Sequence, residues 1–247
     1  INSDDGLLPG ALHAIADAYQ AQQFDVYLTQ TQLINGDKKM GINGPSKKAN
    51  TAAESALEIG LNQPGHFYKT EVLTSLNGLD ERYNYSMDLD LWIRYLLTFG
   101  QERVFTSEIV SSFFRFHETS KSEREGWGEG SAFARERSEI YVRLSRQYPN
   151  RRVWTAFDRL FQNNARAVTD FRLNSNIPED HWRRWVNGLL FPKAQMAYFE
   201  EDFALSHCLS AALFFKDLPK ERKKDARAYL RNSKIKSSKL YEIFFGG

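Results

Sequence analysis

Near Gly130 the hydrophobic pattern of this chain changes, and that change limits what the chain can fold into. Before this point, short β-prone runs alternate with short helical patterns. After it, apolar residues recur at helical spacing, and the segments are separated by Pro149, Pro178, Pro192 and Pro219. We therefore predict an α/β domain at residues 1–125 and an all-α region at residues 126–247. The boundary is expected in the polar, glycine-containing stretch 122–130.

The first region has recognisable helices, strands and turns. Helices are predicted at 9–22, 70–76 and 87–99, and strands at 24–34, 104–105 and 109–116. Turn residues at Asn35-Gly36-Asp37 and Asn77-Gly78 are expected to end elements. Residues 37–60 are expected to form a loop with a short helix, and residues 63–68 a loop that enters a strand. In the second region, helices are predicted at 131–147, 151–169, 179–190, 193–215, 219–232 and 235–244.

Cysteine content and hydropathy restrict the class of protein. Cys208 is the single cysteine, so an intrachain disulfide is impossible and a reducing compartment is favoured. The longest apolar run, 204–215, is shorter than the ~20 residues of a membrane-spanning helix. We expect a cytoplasmic protein, with peripheral contact at the inner face of a membrane as a further expectation.

Charge is divided unevenly along the chain. Residues 1–125 carry a net charge of −6 and residues 126–247 a net charge of +8. The basic runs 220–224 and 234–239 fit a membrane surface, a nucleic acid or another polyanion. They equally fit a solvated helix face, or packing against the acidic half. We expect membrane contact and no nucleic acid.

Two adjacent carboxylates, Asp4 and Asp5, follow an apolar residue and precede Gly6. Paired carboxylates at the carboxyl end of a strand suit Mg²⁺ or Mn²⁺ held against a diphosphate. The same residues also fit an ordinary turn and helix cap. Because a domain does not normally begin inside its metal site, we expect a segment before Ile1.

Three other residues have side chains suited to the same chemistry. Asp88 opens a predicted helix, where a carboxylate can act as a general base or simply cap the helix. His117 ends the last predicted strand and can donate nitrogen to Mn²⁺ or Mg²⁺, or make an ordinary hydrogen bond. Lys121 can pair with phosphate or remain solvated.

Taken in order, these blocks resemble the inverting family-2-type glycosyltransferases of GT-A fold. The resemblance covers about residues 1–122 and is carried by Asn2-Ser3-Asp4-Asp5, Gln63-Pro64-Gly65-His66-Phe67, Asn77-Gly78-Leu79-Asp80-Glu81, Met87-Asp88-Leu89-Asp90-Leu91-Trp92-Ile93-Arg94 and Phe114-Arg115-Phe116-His117. This chain departs from the family at Met87, where many members have Glu, and at Asn77, which replaces a Gly.

The resemblance implies a role for each matching residue. Asp5 and His117 would hold Mn²⁺ or Mg²⁺, and Asp88 would be the catalytic base. The donor would contact Asp4, Arg115 and Lys121. The pocket for donor or acceptor would be lined by Gln63, Gly65, His66, Asp90 and Trp92. For Trp92, a place in the core is the alternative to stacking on a sugar.

The resemblance also implies a fold and a function. The fold is a partial GT-A (nucleotide-diphospho-sugar transferase-like) mixed sheet with helices. The reaction is transfer of a sugar from a nucleotide-diphosphate sugar to a hydroxyl of a saccharide or lipid-linked acceptor, in cell-surface polysaccharide or glycan assembly. The family's nucleotide-binding units precede the acidic motif, so the isolated chain is expected to be inactive. A non-catalytic binding module, or a basic helical module that binds a membrane or nucleic acid, are the alternatives.

Overall fold

The computed structural model describes residues 4–58, 60–117, 121, 128, 130–161 and 177–238. The chain divides into two compact units, Ile1–Ala134 and Arg135–Gly247. The predicted boundary stretch lies almost entirely outside the described residues, so the division at 125/126 stays a prediction.

The first unit contains both strands and helices. Its strands are β1 (Gly6–Leu7), β2 (Val26–Asn35), β3 (Lys38–Asn43), β4 (His66–Tyr68) and β5 (Val104–Phe116). Its helices are α1 (Ala11–Ala21), α2 (Ala52–Ser55), α3 (Thr70–Ser75) and α4 (Met87–Phe99), with a 3₁₀ turn at Gln63–Gly65. The predicted mixed α/β character of this region is therefore confirmed.

These five strands form one mixed sheet in the order β1-β5-β2-β3, and β4 also pairs with β2. The central pair, β2 and β5, is parallel, so the carboxyl ends of both strands meet at one edge. The pairings of β1 with β5, and of β3 and β4 with β2, are antiparallel. In mixed and parallel sheets this carboxyl edge is where ligands usually bind.

Two predictions for the strands were wrong. Residues 38–43 form β3, although they were expected to lie in a loop; all six are exposed, so this edge strand carries no alternating apolar pattern. Residues 104–116 form one strand instead of two, because the polar residues 106–108 continue the strand where its pairing with β2 shifts register. The turn at Asn35-Gly36-Asp37 was correct, and Gly36 adopts a φ of 56° there.

Helix α4 forms much of the core of the first unit. Nine of its thirteen residues are buried, including Trp92, Ile93 and Leu96. The helix begins and ends as predicted, and Gly100 terminates it with a φ of 81°. Its burial on several faces fixes the position of its first turn relative to the sheet.

The helices of the second region are α5 (Ala132–Ser145), α6 (Arg151–Phe161), α7 (Glu179–Phe199), α8 (Phe203–Ala211) and α9 (Lys220–Lys236), with a 3₁₀ turn at Phe215–Asp217. The helical character predicted here is confirmed, but two boundaries were wrong: α9 runs without a break through 233–234, and residues 212–214 of the predicted helix 193–215 are not helical. The predicted stretches 162–169 and 239–244 lie outside the described residues. Within the part of the chain that the structure describes, we find no helix with the length and apolar character needed to cross a membrane.

The predicted break at Pro192 was wrong, because α7 continues through it. Buried residues lie on both sides of the proline, among them Trp185 and Ala194, and their packing outweighs the loss of one backbone hydrogen bond. The chain breaks instead at Glu201, which has a φ of 63°. Asp202 then caps α8 by accepting a hydrogen bond from the backbone of Leu205.

Candidate active site

One group of predicted site residues meets at the carboxyl end of β5. Strand β1 pairs antiparallel with β5, with Gly6 opposite Phe113, so the residues before β1 run beside the last residues of β5. As a result, the Nε2 atom of His117 lies 2.6 Å from Oδ2 of Asp4. The backbone nitrogen of Arg115 donates to Oδ1 of Asp5 at 3.2 Å, and its Nε donates to the backbone oxygen of Asp4 at 3.3 Å.

This group favours an ionised carboxylate. The hydrogen bond from His117 is the largest influence on Asp4 and lowers its pKa, with the nearby charges of His117 and Arg115 acting in the same direction. Partial burial opposes the shift and is outweighed. The edge of the sheet therefore presents negative charge from Asp4, with the cationic side chain of Arg115 beside it.

The chemistry of these side chains fits a divalent cation in part. Carboxylate oxygens and an imidazole nitrogen are suitable donors for Mn²⁺ or Mg²⁺. Among the residues that the structure describes, however, no three His, Cys, Asp or Glu side chains are grouped closely enough to hold a metal ion. A metal here would need further oxygen ligands from phosphate and water, as is usual for Mg²⁺. Because Nε2 of His117 is bonded to Asp4, a metal could bind through this nitrogen only if that hydrogen bond broke.

A second group lies where α4 packs against β4. Asp88, Trp92 and Tyr95 are spaced at i, i+4 and i+7 and so share one face of α4. The ring of Trp92 is 5.4 Å from that of His66, and the ring of Tyr95 is 6.1 Å from that of Tyr68. Asp88 therefore lies one turn further towards the start of α4, on the face that meets β4. Its Oδ1 accepts a hydrogen bond from the backbone of Leu89 at 2.8 Å.

Hydrogen bonds connect His66 to its neighbours on both sides. Its Nε2 lies 2.5 Å from Oγ of Ser46, and its Nδ1 lies 3.4 Å from the hydroxyl of Tyr68. Burial lowers the pKa of His66 to about 4, so the ring is neutral near pH 7. Burial also raises the pKa of Tyr68, and the charge of Asp88 adds to this effect. A neutral histidine and a neutral phenol therefore lie on β4, where it packs against Trp92 and Tyr95 of α4.

Gly65 lies in a close backbone contact. A Cβ atom at this position would be 2.4 Å from the backbone oxygen of Thr29. Thr29 in turn donates from Oγ1 to the backbone oxygen of Gly65 at 3.1 Å. The contact fixes the 3₁₀ turn that contains Gln63 against the middle of β2.

Asp90 and Trp92 are core residues in this structure. Asp90 forms a buried ion pair with Arg94 at 2.7 Å, and Arg94 also donates to the backbone oxygens of Leu76 and Gly78. Trp92 is fully buried. It therefore occupies a place in the core, which was the alternative to stacking on a sugar. Both side chains therefore lie in the interior of the first unit.

Lys121 lies close to the start of α4. Its Nζ donates to the backbone oxygen of Asn84 at 2.7 Å and to its Oδ1 at 2.8 Å, and lies 5.5 Å from the centre of the Tyr85 ring. Since Lys121 follows His117 by four residues, their Cα atoms are separated by at most roughly 14 Å. His117 at the acidic edge and Lys121 beside the start of α4 are therefore no further apart than this distance.

Sequence reasoning did not single out Ser46 or Tyr68. Tyr68 could have been found, because it is two residues after His66 and so lies on the same face of β4. Ser46 lies in a loop far from His66 in the sequence, and no local pattern marks it.

No family model and no curated protein sequence matches this chain. Two solved structures of S. aureus TarS 1–349 are similar to it. The complex with UDP-GlcNAc has a TM-score of 0.41 at 15% identity, over 94% of this chain and 64% of that chain. The complex with UDP has a TM-score of 0.39 at 15% identity, over 94% of this chain and 62% of that chain. This chain thus spans less than two thirds of their length, and a likeness this weak identifies neither family nor function.

Proposed function

We propose that the first unit belongs to a metal-dependent, inverting glycosyltransferase of GT-A type. The substrates would be a nucleotide-diphosphate sugar and a hydroxyl-bearing saccharide or lipid-linked acceptor. The observation that carries the proposal is the hydrogen bond between Asp4 and His117, which joins the first and last blocks of the ordered motif set across 113 residues. It lies at the carboxyl edge of the parallel pair, where phosphate ligands bind in such sheets.

The proposed reaction assigns separate tasks to the two groups. Asp88 would take the proton of the acceptor hydroxyl, whose oxygen attacks the anomeric carbon while the bond to the diphosphate breaks on the opposite face. One displacement of this kind inverts the anomeric centre and needs no enzyme nucleophile. The position of Asp88 in the first turn of α4 keeps its carboxylate fixed, as a general base requires.

The other residues would bind the donor. Asp5 and His117 would hold Mn²⁺ or Mg²⁺, with Asp4 orienting His117 through their hydrogen bond. A bound divalent cation offsets negative charge on the leaving diphosphate. Arg115 and Lys121 would contact phosphate, and Gln63, Gly65 and His66 would shape the pocket beside α4.

We propose that this enzyme acts in the cytoplasm at the inner face of a membrane, where it would take part in polysaccharide or glycan assembly.

The test separates binding from chemistry in the full-length protein. Donor binding is measured by calorimetry with a panel of nucleotide-diphosphate sugars and Mn²⁺, and product formation by chromatography. Asp88→Asn should remove most turnover and spare donor binding, because it keeps the shape and deletes the base. Asp5→Asn should weaken metal-dependent donor binding itself. Asp17→Asn, an exposed change on α1, is the control and should alter neither.

Three outcomes would contradict the proposal. Near-normal turnover of Asp88→Asn would exclude Asp88 as the base. An unchanged metal requirement in Asp5→Asn would exclude the metal site, and failure of every donor to bind with either metal would exclude the proposed function as a whole.

A further inference from the structure

Helix α9 carries a row of basic side chains along one face. Its members are Lys220, Lys223, Lys224, Arg227, Arg231 and Lys234, here called the basic track. At 100° per residue they fall within an arc of about 100°, and the row is about 21 Å long. Five of the six residues are exposed, and Lys223 is half-buried. The open depression between these side chains is lined by five of them together with Ala228.

The track faces away from the core of its unit. The opposite face of α9 holds the buried residues Ala226, Tyr229 and Ser233. Tyr229 accepts a hydrogen bond from Gln195 of α7, and Ser233 donates to Ser206 of α8. The side of α9 that holds these three residues therefore packs in the interior of its unit, and the basic track lies on an exposed side, next to the exposed side chain of Ile235.

The acidic residues of α9 do not neutralise this row. Glu221 and Asp225 lie about 60–100° around the helix from the edge of the basic track. Within the described chain, no carboxylate pairs at 4 Å or less with any of its six cations. Like charges that are adjacent on a helix repel each other. The row therefore lowers the stability of the folded protein unless an anionic partner binds to it.

We propose that the basic track of α9 docks this protein onto an anionic lipid bilayer. Rows of four to eight Lys and Arg on a helix bind acidic lipid headgroups, at about 1 kcal/mol for each cation near the surface. Lipid headgroups move laterally and can collect along a straight row of charges. Because the apolar face of α9 is already buried, binding is electrostatic and the helix does not insert.

A nucleic acid fits the track less well. Proteins that bind single strands combine a positive groove with aromatic side chains on which bases stack. The basic track contains only Lys and Arg, and all of its residues stand on one helix instead of lining a groove between elements. The positive charges of the basic track would suit any polyanion. Its composition of Lys and Arg alone, and its placement on one helix, favour an anionic lipid surface over a nucleic acid.

This inference deepens the location given in the proposed function, yet its test involves no donor, acceptor or sugar transfer. The protein is sedimented with vesicles of phosphatidylcholine, with and without phosphatidylglycerol, at low and high salt. The track variant combines Lys224→Gln, Arg227→Gln and Arg231→Gln. The control combines Lys193→Gln, Arg151→Gln and Arg152→Gln, which removes the same numbers of Lys and Arg from exposed positions on α6 and α7. Circular dichroism verifies that both variants fold.

We expect binding only to vesicles that contain phosphatidylglycerol, and loss of that binding at high salt. The track variant should bind roughly 100-fold more weakly, and the control only a few-fold more weakly. Equal losses in the two variants would overturn the proposal, because general charge would then explain the binding. So would equal binding to neutral vesicles, or no binding to either kind. A short oligonucleotide that binds through the track while vesicles do not would show that the partner is a nucleic acid.

Discussion

At the scale of single residues, His66 is a side chain whose surroundings decide its charge. It lies between Ser46, Tyr68 and the ring of Trp92, and none of these supplies a negative charge that would stabilise a protonated imidazole. A neutral ring can accept a hydrogen bond at one nitrogen and donate at the other. His66 can therefore hold Ser46 and Tyr68 in one fixed arrangement.

The charge state of His66 predicts a pH dependence of stability. Its pKa is about 4 in the folded protein and 6.5 in the unfolded chain, so only the unfolded state binds the proton between these values. The free energy of unfolding should therefore fall as pH drops from about 6.5 towards 4. In His66→Gln this contribution is absent, and the fall should be shallower. Urea unfolding at a series of pH values measures the difference.

His13 supplies the control for that experiment. His13→Gln removes a histidine from an exposed position on α1 and leaves the contacts of His66 intact, so it should follow the wild-type curve. If His66→Gln also followed the wild-type curve, the proposed neutral state of His66 would be excluded.

At the scale of elements, α4 is connected to the turn that precedes it through one buried ion pair. Asp90 fixes Arg94, and Arg94 holds the backbone oxygens on either side of Asn77. Asn77 and Gly78 both have positive φ, at 59° and 68°, so this turn has few conformations available. The start of α4, and with it Asp88, is thereby tied to the end of α3.

Removal of one partner of this pair should be costly. Asp90→Asn leaves the guanidinium of Arg94 buried without its counter-charge and should lower the free energy of unfolding by about 3–5 kcal/mol. Asp180→Asn is the matched control, since Asp180 also lies in the first turn of a helix and pairs at i+4 with Arg184, but on the surface. That change should cost less than about 1 kcal/mol. Equal losses in chemical denaturation would contradict the difference in burial.

The elements differ in how well local sequence predicts them. Helix α4 and the turn at Gly36 were predictable because their signals are local: helical periodicity, a terminating Gly100 and turn residues. Strand β3 was not, because an exposed edge strand has no buried face to impose a pattern. Helix α7 continues through Pro192 because residues on both sides of the proline pack in the core. Helix propensities carry no information about such packing.

In the candidate site, too, local sequence predicts some features and not others. Asp4, Asp5, Asp88 and His117 were recognisable from their order in the chain. That Asp4 contacts His117 directly follows from the register of β1 on β5, which local patterns do not fix. The contact between His66 and Ser46 likewise depends on where a loop crosses β4.

At the scale of the whole molecule, the second unit has an interior of its own. Trp185 packs against Tyr141 and Phe157, and Trp182 packs against Tyr148 and Phe214. These rings come from five different segments of the same unit. An aromatic core that joins distant segments is what an independently folding region requires.

Residues 131–247 expressed alone should therefore fold. We expect a helical circular dichroism spectrum and one cooperative thermal transition that both far-ultraviolet ellipticity and tryptophan fluorescence report. Trp185→Ala should lower the stability of this piece by about 3–5 kcal/mol, because it opens a cavity in the core. A non-cooperative melt of the unaltered piece would contradict its independence.

The pairing of β1 and β2 with β5 has a consequence for the order of events in folding. Gly6 meets Phe113, and Val26 meets Val104, so the sheet cannot close until strands distant in sequence have found each other. Such contacts form slowly, whereas the hairpin of β2 and β3 can form within microseconds. Because Asp4 and His117 lie at the far end of this slow pairing, we expect the acidic edge to be the last part of the unit to assemble.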